Sequence, residues 1–112
     1  AITADQVLRM ATIDGARAVG LETEIGSLEI GKCADLILVD LNAPHMRPLH
    51  SLSSALVYQA LGCEVRTVIV DGEILMQDGI LTAITEQEER KAVERAQARS
   101  EQIAKSAKLL IG

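Results

Sequence analysis

Two sets of residues in this 112-residue chain have types and spacings that invite chemistry. Gly26, Gly31 and Lys32 fall in the order G-x-x-x-x-G-K, followed by Cys33. A phosphate-binding loop reads G-x-x-x-x-G-K-[ST]; its backbone N–H groups cradle phosphate and its hydroxyl holds magnesium. Cys33, His45, His50 and Cys63 are the chain's cysteines and histidines, and four such side chains can hold zinc.

Neither set survives a reading of its surroundings. A phosphate loop needs a strand leading into the glycines and a helix leaving them. Here a helical pattern precedes Gly26 and a strand pattern follows Lys32. Cys33 also stands where the hydroxyl is required, and a thiol is a poor ligand for a hard cation. The glycines are therefore expected to be turn residues on either side of a short strand. The C-x₁₁-H-x₄-H-x₁₂-C spacing matches no zinc pattern, and Cys33 opens a strand expected to be buried. No catalytic, cofactor-binding or metal-binding residue is expected. His45 and His50 read as loop histidines with ordinary hydrogen bonds, the alternative being a substrate-side or interface role in a larger enzyme. Arg47 and Arg66 read as surface charges.

The elements that would position these residues are legible from periodicity. Thr3 and Gln6 make a capping box, and Leu8, Ala11, Gly15, Ala18 and Val19 recur on one helical face up to a C-capping Gly20. Gly15 on that face implies close backbone packing. Residues 34–41, ADLILVDL, predict a strand covered on both faces. Residues 51–61 predict a short helix ending at Gly62, and Asp71-Gly72 between apolar runs predicts a two-residue hairpin. Thr85 and Glu88 open a last helix expected to reach Ile111, with Val93, Ala96, Ile103, Ala107 and Leu110 on one face and Lys105 and Lys108 near its end. The charges from Glu86 to Arg99 read as a solvated face.

Composition narrows the function classes. Hydrophobic residues make up 48% of the chain, enough for a core, but there is one Tyr and no Phe or Trp. That excludes aromatic stacking platforms for single-stranded nucleic acid. A net charge of −5 argues against nucleic acid and anionic membranes as partners. Two cysteines without a signal-peptide pattern or a long apolar run read as reduced, semi-buried thiols in a cytoplasmic protein. The opening Ala1-Ile2-Thr3 gives the expectation of an excised or processed segment.

Three stretches, MATIDGARAVGL, EIGSLEIGKCADLILVD and TVIVDGEILMQDG, occur in this order between Met10 and Gly79. Together they resemble the C-terminal region of metal-dependent amidohydrolases, in the group of aminopurine deaminases and triazine chlorohydrolases. Asp14 departs from the more usual Asn. The loop APHMRPLHSLSSALVY is most similar to S-adenosylhomocysteine and methylthioadenosine deaminases, with guanine deaminases and triazine hydrolases close behind. The resemblance implies an α+β segment. Residues 1–20 would be the last helix of a (β/α)₈ barrel, residues 21–84 the C-terminal part of a small composite β domain, and residues 85–112 a C-terminal helix. It also implies a parent enzyme in which a divalent metal, zinc or iron, makes hydroxide from water. The family's ligands, an H-x-H pair, two further histidines and an aspartate, would all lie upstream, so this segment would bind no cofactor. Its expected partners are the N-terminal and barrel part of the same enzyme and further copies of itself. The competing reading is a free-standing, non-catalytic interaction module.

An isolated chain of this kind should self-associate, because its sheet would lack neighbours and its first helix would lack a barrel to pack on. Each apolar side chain re-covered returns about 1.5–3 kcal/mol. Light scattering over a range of concentrations should show a mass that rises with concentration. A monomer at every concentration would contradict the expectation.

Overall fold

The structure, a computed structural model, describes residues 1–107. Helix α1 (Ala4–Ala11) opens on the expected box: the Gln6 N–H donates to Thr3 Oγ1 at 3.2 Å, and the Thr3 N–H donates to Gln6 Oε1 at 2.8 Å. The single helix predicted to reach Val19 is instead two, with α2 spanning Ile13–Ala18. The break falls at Thr12, whose hydroxyl donates to the Leu8 carbonyl at 2.8 Å and whose backbone is far from helical at φ −121°, ψ −100°. Gly15 sits beside this corner. A Cβ there would lie 2.9 Å from the Met10 carbonyl oxygen, so the close backbone approach implied by its position is present.

Residues 21–35 form turns and bends, not the short strand expected between Gly26 and Gly31. The two glycines do different work. Both have positive φ, +95° and +93°, which side chains other than Gly rarely adopt. Nothing lies within 4 Å of a Cβ at Gly31, whereas one at Gly26 would meet the Ala16 Cβ at 2.7 Å and the Ile13 Cα at 3.0 Å. Gly26 is where the chain crosses against α2.

An antiparallel sheet follows, in the order β1-β2-β3-β4: β1 (Leu36–Val39), β2 (Val65–Val70), β3 (Glu73–Gln77) and the short β4 (Ile80–Leu81). Ile69 of β2 lies opposite both Leu36 and Ile74, which sets the register. Asp71 and Gly72, at φ +50° and +77°, make the expected hairpin turn between β2 and β3. Strand β1 is shorter than predicted, and Ile37 and Leu38 are more than half exposed, so in this chain its faces are not both covered. Between β1 and β2 run a 3₁₀ turn (Pro44–Met46), the short α3 (Leu52–Ser54) and a π-helical turn (Ala55–Gln59) that replaces the second half of the predicted helix. Helix α1 packs near α3 and the π turn, where Ser53 Oγ donates to Asp5.

The first unit ends at Ile80 and a second begins at Leu81. The second contains α4 (Glu86–Ser106), with Thr85 as its cap and the reciprocal Thr85–Glu88 bonds at 3.1 Å. Its predicted apolar face is exposed, Val93 and Ile103 included, and its charged run faces solvent as expected. Lys108, Leu110 and Ile111 lie outside the described residues. Among the described residues the buried apolar side chains are Ala16, Met46 and Ala55.

Replacing Gly26 with Ala should cost about 2–4 kcal/mol, from the strained φ together with overpacking on α2. Gly31→Ala should cost only the strain, about 1–2 kcal/mol. Urea unfolding of both variants checks the difference; equal losses would mean that Gly26 is not a packing position.

Candidate functional site

Lys32 does not offer its ammonium to a ligand. Its side chain is largely buried, and Nζ donates to Ser27 Oγ at 2.7 Å and pairs with Glu29 Oε2 at 3.1 Å. Ser27 Oγ donates in turn to Glu29 at 2.5 Å. The hydrogen bond from Ser27, then that from Lys32, hold the Glu29 carboxyl below its ordinary range. The lysine that imitates a phosphate loop is thus the keystone of a local turn.

The four soft-ligand side chains form no common cluster among the described residues. Cys33 and Cys63 are both exposed, not semi-buried as expected, and His50 lies in the exposed loop before α3. Partial desolvation of the thiol, followed by the nearby Asp71, Asp35 and Glu24 carboxylates, pushes the Cys33 thiol up, which disfavours a reactive thiolate. Arg47 and Arg66 are exposed, as expected, and are used locally: Arg47 donates to Asn42 Oδ1 at 2.9 Å and Arg66 to the Asp78 carbonyl at 2.7 Å.

His45 and Cys63 do meet, around a residue that the sequence pattern does not single out. Glu64 precedes β2, and its side chain is 1% exposed. Its Oε1 accepts the Leu61 N–H at 2.7 Å, its Oε2 accepts the Gly62 N–H at 2.7 Å, and His45 Nε2 bonds to Oε1. The Leu61 N–H and then His45 hold the carboxyl down at about 2, against the opposing effect of burial. Because Glu64 is ionised, it can only accept, so the shared proton sits on His45 Nε2. A ring nitrogen of His45, Cys63 Sγ and a Glu64 carboxylate oxygen all lie within 4.8 Å of one another. The available signal was an acid two residues after Gly62, at the threshold of an apolar strand, where the backbone N–H groups of a turn can converge on it.

An apolar groove of about 620 Å³ lies elsewhere in the same unit, between the first helices and the sheet, lined by Ala11, Gly15, Val19, Leu28, Ile37 and Val68 among others. Its polar lining is sparse and includes Thr12, Ser27 and Asp35. It has the character of a packing surface and not of a hydrolytic site.

The folded carboxyl of Glu64 lies well below the ordinary 4.5, so its stabilising contribution is complete above about pH 4.5 and is lost as pH falls toward about 2. The chain should therefore lose stability as pH falls through that window. Glu64→Gln puts an amide where two N–H groups need acceptors, and should lower the unfolding midpoint at neutral pH and flatten the acid limb. An unchanged acid limb would remove Glu64 from this role.

The Amidohydrolase family pattern matches residues 1–75 of this chain. A 5'-deoxyadenosine deaminase of Methanosarcina acetivorans is 46% identical over 103 residues, covering 92% of this chain and 23% of the relative. A 5-methylthioadenosine/S-adenosylhomocysteine deaminase of Moorella thermoacetica is 53% identical over 87 residues, covering 78% of this chain and 20% of the relative. Among solved structures, an adenosine deaminase from Xanthomonas campestris with bound zinc superposes with a TM-score of 0.81 at 36% identity, over 88% of this chain and 23% of that one. The chain thus spans less than a quarter of the length of these proteins. With more than half of its residues inside the family pattern, and a mixed helical and antiparallel fold that superposes on a solved deaminase, the chain belongs to the amidohydrolase family.

Proposed function

We propose that this chain is the C-terminal structural segment of a cytoplasmic, metal-dependent amidohydrolase that hydrolytically removes an amino group from an aminopurine-type substrate. In this reading residues 1–20 close the barrel, residues 21–84 complete the small composite β domain, and residues 85–112 form the C-terminal helix. The observation that carries it is the uncovered apolar groove between the helices and the sheet. A surface of that kind suits permanent packing against the part of the enzyme that precedes it, and the relatives' greater length supplies such a part. Glu22 Oε2 is buried and has no partner among the described residues, which also favours a donor from outside the segment. The same uncovered surfaces favour self-association when the segment stands alone. Among the described residues no helix is long and apolar enough to cross a membrane.

The parent's divalent metal, zinc or iron, would supply a hydroxide nucleophile. This segment does not fit as its holder. The chain's two histidines are separated by four residues, with no H-x-H pair. The role of these residues is to shape and close a scaffold, with the catalytic groups upstream. Triazine chlorohydrolase and guanine deaminase remain the alternative parents.

The isolated chain should release no ammonia above background from 5'-deoxyadenosine, methylthioadenosine or S-adenosylhomocysteine with zinc or iron(II) added. The longer protein, containing the upstream part, should do so, and should lose activity when residues 1–112 are deleted. Turnover by the isolated chain, or full activity without it, would contradict the assignment.

A further inference from the structure

His45, Cys63 and Glu64 offer three donors of different chemistry at one point of the surface. Their positions are set by separate elements: the Pro44–Met46 turn carries His45, and the loop between the π turn and β2 carries Cys63 and Glu64. Glu64 is fixed by two backbone N–H groups and needs no reordering, while Cys63 is exposed and in no disulfide. His45 is one-third exposed, so the cluster is open on one side.

We propose that His45, Cys63 and Glu64 form a binding site for a zinc-class divalent cation, with water completing the shell. An imidazole, a thiol and a carboxylate match the ligand preferences of zinc and do not match those of magnesium or calcium, which take oxygen. Bonds of about 2.0–2.3 Å to a tetrahedral ion place its ligands about 3–4 Å apart. The present separations, within 4.8 Å, reach that spacing by rotation of Cys63 and a small shift of the ring. The ion takes the place of the proton that His45 Nε2 shares with Glu64. That proton moves to Nδ1, the ring stays neutral, and Cys63 gives up its thiol proton to solvent, so one proton leaves per ion bound. The ion would tie the loop before β2 to the 3₁₀ turn more firmly than the hydrogen bond alone.

Cobalt(II) serves as a coloured probe for zinc. Added to the 112-residue chain, it should give a thiolate-to-cobalt charge-transfer band that zinc abolishes. Zinc calorimetry should show one equivalent bound. Cys63→Ser, at an exposed position that leaves the His45–Glu64 bond in place, should keep the far-ultraviolet circular dichroism. It should eliminate the band and weaken zinc by more than about tenfold, the loss that even an outer partner of a metal ligand can cause. Cys33→Ser should change neither. His45→Gln, which retains a donor toward Glu64, should weaken zinc as Cys63→Ser does. No band with the unaltered chain, a band that persists in Cys63→Ser, or one lost in Cys33→Ser would overturn the proposal.

Discussion

The Glu64 carboxylate is the interaction on which the middle of the first unit depends. Sealed from solvent, it collects the Leu61 and Gly62 N–H groups and the His45 ring, while its backbone carbonyl accepts the Asp40 N–H at 2.8 Å. One residue thereby joins the end of β1, the 3₁₀ turn, the loop that follows the π turn and the start of β2. Few large apolar side chains are buried nearby, Met46 being the largest fully covered. Where burial is so limited, a charge held by several donors takes over part of the job that a hydrophobic core does in a larger domain. Removing such a group leaves buried donors without acceptors, which costs more than the bond itself contributes.

A different economy governs the outer faces. Leu28, Ile30, Ile37 and Leu38 are all more than half exposed, although their pattern is that of buried positions. The sheet and first helices have the sequence of interior elements and the surroundings of surface ones. A domain completed by chain from elsewhere in the same enzyme accounts for both facts. An isolated module with so much uncovered apolar surface would be unusual among soluble monomers.

What could be read in the sequence was local. The capping boxes at Thr3 and Thr85 and the Asp71-Gly72 hairpin depend on residues within a few positions of one another, and the structure has them. The break at Thr12 was hidden because Leu8, Ala11 and Gly15 keep helical spacing on both sides of it. The exposure of β1 is not legible because an apolar run records the surroundings a strand evolved in, which in the proposed reading extend beyond this chain. Glu64 was invisible for another reason. Its partners are backbone N–H groups and a histidine 19 residues away, and neither leaves a periodic trace. The glycine-lysine motif, set aside on its surroundings, has local work in the structure: Gly26 answers to the proximity of Ala16 and Lys32 to Ser27 and Glu29.

The central claim is that the apolar groove and the free edge of β1 are interior surfaces of a larger enzyme. Amide hydrogen exchange, compared between the isolated chain at low concentration and the same residues joined to the upstream part, tests it most directly. The account predicts that amides of residues 36–39 that face away from β2, and those around Gly15, Leu28 and Val19, exchange fast in the isolated chain and become strongly protected in the longer protein. Amides of α4 serve as an internal reference within each sample. Equal protection of the groove and of β1 in both forms would show that the segment satisfies its own surfaces, and the claim would fall.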